Sequence, residues 1–157
     1  MTPTNLWDFA CQNYARPGVE QLSLALQNDW HGDIGLLFWL GWLERQGHQL
    51  DVDQLRLAQT HIAPWQNRIV KPLRQLRRQI KADYPNRGAT TETCRQAIKS
   101  AELWAEQHSL EALAALAGQW FGTPPQAALN PGDNLRLYTH QLKLPEALHQ
   151  QWVQCLS

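Results

Sequence analysis

The fold is decided by residues 34–43, which read IGLLFWLGWL. Every position except the two glycines carries a large apolar side chain, so a helix formed here would be apolar on all sides. Such a helix is stable only when other helices surround it. Gly47 is suited to end it, and we therefore predict a central helix over residues 34–46. Gly35 and Gly41 weaken a helix interior, so we expect a neighbouring helix to approach closely at each of them.

The rest of the chain also favours helices over strands. Leu, Ala, Gln, Arg and Glu are frequent, and no stretch alternates between apolar and polar residues over the length of a strand. Pro, Gly and Asn mark the breaks between helices, at residues 16–18, 28–32, 84–88 and 122–134. The chain of 157 residues has the usual size of one domain. We therefore predict an all-α fold, a single domain over residues 1–157 built as a compact bundle of about six to eight helices. Residues 122–157 are a candidate for a looser C-terminal extension.

Cysteine usage and apolar run lengths indicate the compartment. The three cysteines, Cys11, Cys94 and Cys155, lie far apart in sequence and fit neither a disulfide framework nor a zinc site. The most apolar run has about half the length that a membrane-spanning helix needs. The first residues lack the basic and apolar regions of a secretory signal. We expect a cytoplasmic protein, not inserted in a membrane, with no metal and no cofactor.

Positive charge is concentrated in one segment of a neutral chain. The sequence contains 14 Lys plus Arg and 14 Asp plus Glu. Residues 64–87 hold seven bases and one acid, whereas residues 1–63 hold seven acids and three bases. The balanced total argues against a general nucleic-acid coat protein, but the local excess can attract an anionic partner.

A regular helix over residues 65–81 would place apolar and basic side chains on different faces. We expect the apolar face to pack on the core, and it holds Trp65, Ile69, Leu73, Leu76 and Ile80. The opposite side holds Lys71, Arg74, Arg77, Arg78 and Lys81, and Arg68 lies alone at the far edge. We call these six bases of residues 68–81 the basic face. Val70 is the one apolar residue among these bases. Pro72 predicts a kink or a break near Val70.

Two interpretations of the basic face remain open. The bases could be solvated, or they could pair with acids of the N-terminal half, for which the candidates are Asp8, Glu20, Asp29, Asp33, Asp51 and Asp53. They could instead contact an anionic partner through phosphate or carboxylate groups, which arginine binds well. An acidic protein and structured RNA both fit, and RNA would be held through its phosphates. The leading hypothesis is a non-enzymatic binding or adaptor protein.

A second candidate site lies in the loop Asp29-Trp30-His31-Gly32-Asp33. Carboxylates and an imidazole can perform acid–base chemistry, although Asp also caps helices and holds turns. The alternative hypothesis is a small-molecule-binding protein or an enzyme with a tryptophan-lined pocket between helices, formed by Asp29, Trp30, His31, Asp33 and Trp65. No catalytic motif and no histidine pair at metal-binding helical spacing occurs. An Ala-rich helix over residues 110–121 would also allow a homodimer.

Two stretches carry a resemblance to a known family. Residues 6–20 read LWDFACQNYARPGVE, and residues 63–78 read APWQNRIVKPLRQLRR. Both resemble an uncharacterised proteobacterial family, a domain of unknown function found in proteins about as long as this chain. The resemblance covers residues 5–82 and implies a bacterial cytoplasmic protein. It implies no activity, no cofactor and no catalytic residue.

Overall fold

The computed structural model describes residues 5–121 and 130–156. The first four helices are α1 (Leu6–Tyr14), α2 (Val19–Trp30), α3 (Ile34–Arg45) and α4 (Val52–Trp65). A π-helical turn, Gln66–Val70, follows α4 directly, and then come α5 (Lys71–Asp83), α6 (Ala89–Trp120), α7 (Asp133–Gln141) and α8 (Glu146–Leu156). Because α4, the π turn and α5 are continuous, the described part of the chain contains seven helical rods and no strand. The predicted all-α bundle is confirmed.

Helix α3 lies at the centre of the bundle, as its sequence predicts. Nine of its twelve residues are buried. A Cβ atom on Gly41 would lie 3.2 Å from Leu156 of α8, and one on Gly35 would lie 3.3 Å from Leu110 of α6. These close approaches explain why two residues unfavourable to helices occur inside this helix.

Helices α7 and α8 pack into the same core. Their buried apolar residues are Leu135, Tyr138, Trp152 and Leu156. The carboxylate of Glu44, at the end of α3, accepts hydrogen bonds from the backbone N–H groups of Asn134 at 2.6 Å and Leu135 at 3.2 Å. This carboxylate therefore caps the first turn of α7. Within the candidate C-terminal extension, residues 130–156 thus pack against the core and are hydrogen-bonded to α3. Residues 122–129 lie outside the described residues.

Helix α6 joins the core through its second half. Its buried apolar residues are Ala105, Leu110, Leu113 and Ala117. The Ala-rich stretch 110–121 thus turns part of its surface inward, toward the chain's own core. No helix in the described ranges is long and apolar enough to cross a membrane.

The break predicted near Val70 takes the form of the π turn. The N–H group of Lys71 donates to the carbonyl oxygen of Gln66, five residues earlier. In a regular α-helix the ring of Pro72 would clash with the carbonyl group of Arg68, and Pro72 has no N–H group to donate. The wider π turn takes in one extra residue, which lets the helix continue past the proline.

The extra residue rotates α5 and changes which side chains face inward. Val70 is fully buried, whereas Ile69 is 37% exposed and Leu76 is 45% exposed. No residue of α5 is buried. The expectation that Ile69 and Leu76 pack on the core is therefore wrong, because a wheel of uniform residue spacing does not hold across a π turn.

Because of this rotation, we expect two alanine substitutions to differ in their effect on the free energy of unfolding. Val70→Ala should lower the free energy of unfolding by about 2 kcal/mol, because it leaves a cavity in a packed site. Leu76→Ala should lower it by no more than about 1 kcal/mol, because nearly half of that side chain is already exposed. Urea denaturation followed by circular dichroism measures both values. A larger loss for Leu76→Ala would show that the helix keeps a regular α register.

Candidate functional site

A cleft with a volume of about 570 Å³ opens beside the π turn. It is bounded by the end of α2, the start of α3, the helix α4–α5 and Tyr138 of α7. Its cationic lining is Lys71, Arg74 and Arg78, and its apolar lining includes Leu36 and Ile62. Five amide side chains also line the cleft, namely Gln27, Gln59, Gln66, Asn67 and Gln75. The cleft therefore offers positive charge together with many hydrogen-bonding groups.

Two arginines of the basic face are neutralised inside the protein. Arg77 Nε lies 2.5 Å from Glu102 Oε2, and Arg74 Nε lies 3.3 Å from Glu102 Oε1. Arg74 Nη2 also lies 2.9 Å from Glu106 Oε1. The hydrogen bond with Glu102 raises the pKa of Arg77. Because Glu102 and Glu106 belong to α6, these ion pairs hold α5 against α6.

These contacts correct the expected source of internal pairing. The acids of the N-terminal half were the candidates, namely Asp8, Glu20, Asp29, Asp33, Asp51 and Asp53. The acids that form ion pairs with the basic face come instead from the C-terminal half, on α6, whereas Asp33 lines the same cleft as Lys71 and Arg74 without forming an ion pair. The physical reason is the hairpin of α5 and α6, which places the two helices side by side. Burial raises the pKa of Glu106 against the opposing effect of Arg74, so this carboxylate is partly desolvated in the contact.

The other four bases of the basic face have a different environment. Arg68, Lys71, Arg78 and Lys81 are exposed, and none forms an ion pair with a residue in the described part of the chain. Arg78 Nη2 donates to Asn28 Oδ1 of α2 at 3.0 Å, which holds its guanidinium group across the mouth of the cleft. The six predicted bases thus divide into two that fix the helix and four that face solvent.

Asp33 and Tyr138 meet at the edge of the cleft. The backbone N–H group of Asp33 donates to the hydroxyl oxygen of Tyr138 at 2.7 Å, and its carboxylate caps α3 by accepting from the Leu36 N–H group at 3.2 Å. Burial raises the pKa of Asp33, and the cap together with Arg74 and Lys71 opposes this effect. Burial also raises the pKa of Tyr138. Its hydroxyl group therefore stays protonated, and its O–H bond remains available as a donor.

Only part of the predicted tryptophan-lined pocket comes together. His31 and Asp33 line the cleft, whereas Asp29, Trp30 and Trp65 do not. The indole N–H group of Trp65 donates to the carbonyl oxygen of Ala105 at 2.8 Å, and its ring packs on His108. Trp65 thus links α4 to α6, so this cleft is not walled by tryptophan.

The amide groups and Tyr138 are the lining residues that the sequence analysis missed. One signal could have found part of them, because Gln59, Ile62 and Gln66 recur at helical spacing and mark one face of the continuous helix formed by α4 and the π turn. Tyr138 carries no such signal, since it comes from a helix far along the chain. Among the described residues, no group of three or more His, Cys, Asp or Glu side chains could hold a metal ion.

The comparison with protein families agrees with the two stretches singled out in the sequence. A family described as "Protein of unknown function (DUF2390)" matches residues 5–113. The chain belongs to the DUF2390 family. The resemblance to an uncharacterised family is confirmed, and its proteobacterial origin stays a prediction. No curated protein and no solved structure matches the chain. The DUF2390 match includes the whole basic face and every lining residue of the cleft except Tyr138.

In this DUF2390 chain, removal of the Glu102 carboxylate should be strongly destabilising, although the intact ion pairs add little net stability. Its side chain is 9% exposed and contacts two arginines. Glu102→Ala should lower the free energy of unfolding by about 3 kcal/mol, because two partly buried guanidinium groups lose their partner. Glu146→Ala is the matched control, since Glu146 pairs with Arg136 at a side chain that is 62% exposed. Denaturant unfolding of both variants tests this, and equal losses would contradict it.

Proposed function

We propose that the protein is a non-enzymatic binding protein that holds an acidic segment of a partner protein against its basic face. The observation that carries this proposal is the set of four exposed bases without an ion pair in the described part of the chain, Arg68, Lys71, Arg78 and Lys81. Two of them, Lys71 and Arg78, also line the cleft. Positive charge exceeds negative charge in the lining, since Lys71, Arg74 and Arg78 face a single acid, Asp33, and such an excess attracts an anionic partner.

The internal ion pairs support this use of the outer bases. Six cations on one helix repel each other, and the repulsion weakens the helix. Glu102 and Glu106 offset part of that repulsion and fix α5 on α6. The outer bases consequently project from a helix whose rotation is set by contacts with the rest of the fold. A fixed arrangement lowers the entropic cost of holding a partner.

Two features favour an acidic protein over RNA as the partner. Single-stranded nucleic acids are usually held by bases stacked on exposed aromatic rings, yet the lining of the cleft contains no tryptophan or phenylalanine, and Tyr138 is buried. The segments on either side of residues 64–87 are net acidic, so a long phosphate backbone would meet repulsion beyond the basic face. Amide side chains, in contrast, match the donors and acceptors of a peptide.

The cell compartment is part of the proposal. Cys11, Cys94 and Cys155 are free thiols. Free thiols persist in a reducing compartment, which fits a bacterial cytoplasm.

The proposed function predicts a selective loss of binding on neutralising the cleft bases. Fluorescence anisotropy would measure the binding of a labelled decaglutamate peptide and of a labelled RNA hairpin. The double variant Lys71→Gln/Arg78→Gln should bind the peptide about tenfold more weakly than the wild type. The matched control Arg56→Gln/Lys99→Gln removes the same charge from exposed positions that do not line the cleft. We expect it to bind as the wild type does.

Three results of this experiment would contradict the proposal. Equal losses for the two double variants would mean that only net charge matters. Tighter binding of the RNA hairpin, with a steep dependence on salt, would identify a nucleic-acid-binding protein. The absence of peptide binding at low salt would mean that the exposed bases are simply solvated.

The size of the cleft favours one second candidate function, the binding of a small anionic molecule. Its volume of about 570 Å³ lies within the range of ligand pockets. A screen of carboxylate and phosphate metabolites by thermal shift would test it. A rise in the melting temperature that Lys71→Gln abolishes would support this candidate.

A further inference from the structure

The cleft contains polar groups that the fold itself does not use. Gln59 exchanges hydrogen bonds with Gln141, and Gln66 donates to Ser109, so these two amides are committed within the protein. The amides of Gln27, Asn67 and Gln75 make no hydrogen bond to the described part of the chain. The Tyr138 hydroxyl group accepts one hydrogen bond and has its own O–H to donate. The unused groups include both donors and acceptors.

These groups favour an extended ligand chain over a helical one. A helix satisfies its backbone N–H and C=O groups internally, so it offers little to three amide side chains. An extended peptide offers free N–H and C=O groups along its length. In addition, Asn67 lies on the π turn, a type of irregularity that often occurs at functional sites. The amides therefore fit the main chain of an extended segment.

The two cleft bases set a spacing for the acidic groups. Lys71 and Arg78 lie on the same face of α5, seven residues apart, which corresponds to a rise of about 10.5 Å along the helix axis. In the polyproline II conformation, side chains three residues apart lie on the same face and are separated by about 9 Å. In a β-strand, side chains three residues apart point to opposite faces. The spacing therefore matches acidic residues at positions i and i+3 of a polyproline II segment.

We propose that the cleft binds a partner segment in the polyproline II conformation with two carboxylates three residues apart. The carboxylates meet Lys71 and Arg78, the main chain between them bonds to the amide of Gln75, and the main chain beyond the carboxylate at Lys71 bonds to the amide of Asn67. This inference rests on the proposed function and names the chemistry of the partner. It adds that binding depends on the spacing of the acidic residues as well as on their charge.

Three labelled peptides of equal net charge test the spacing. The first, APEAPEAP, favours polyproline II and has its glutamates three residues apart. The second, APAPEEAP, has the same composition with adjacent glutamates. The third is an alanine-rich helical peptide with two glutamates seven residues apart. Binding is measured by anisotropy at about 10 mM salt, where surface charges are little screened.

We expect the first peptide to bind the wild type about fivefold or more tightly than the second. Lys71→Gln or Arg78→Gln alone should remove this preference, because each leaves one carboxylate without a partner. Gln75→Ala should weaken binding of the first peptide, whereas Gln79→Ala should not, since Gln79 lies on α5 but does not line the cleft. Circular dichroism checks that each variant is folded.

The possible failures separate the two proposals. Equal binding of the first two peptides would overturn the inferred spacing and leave the proposed function intact. Tightest binding of the helical peptide would overturn the extended conformation. If no peptide binds the wild type better than it binds the Lys71→Gln/Arg78→Gln variant, both the inference and the proposed function fail.

Discussion

The arrangement of the candidate site depends on one constraint, the proline at position 72. Because its ring cannot follow a regular turn, the helix takes in an extra residue over Gln66–Val70, and α5 continues with a rotated face. Val70 then enters the core, and Arg74 and Arg77 turn toward α6. The same rotation directs Lys71 and Arg78 to the cleft. A wheel of uniform residue spacing, by contrast, places the apolar residues on one side and the bases on the other.

The cluster around Glu102 gives the rotated helix a defined orientation. A partly buried ion pair contributes little net stability, since desolvation of the charges offsets much of their attraction. It penalises every arrangement in which one partner is left alone, however, and so restricts the helix to few orientations. Arg74 and Arg77 share one carboxylate, so sliding or turning α5 would break both contacts at once. The cluster thus selects an orientation more than it adds stability.

The fold could be predicted because its signals are local, whereas the site depends on contacts between distant segments. The run of apolar residues in α3 indicates that this helix is central. The glycines within it indicate that neighbouring helices approach it closely. The sequence marks His31 and Lys71 on separate grounds, but nothing local in it shows that they line one cleft. Glu102 pairs with Arg74 across 28 residues, and Tyr138 comes from the C-terminal helices. The helical wheel failed at Leu76 because it assumes uniform geometry across the π turn.

The neutral charge of the whole chain bears on how such a site can be selective. A strongly basic protein attracts any polyanion over long distances, and this attraction lowers its specificity. Here the segments outside residues 64–87 are net acidic, so an anionic partner gains mainly from the bases of the basic face. Selectivity must then come from geometry, through amides and bases that are carried at fixed positions along one helix backbone. A helix whose rotation is set by Val70 on one side and Glu102 on the other provides that fixed separation, which links the irregular turn directly to the proposed recognition.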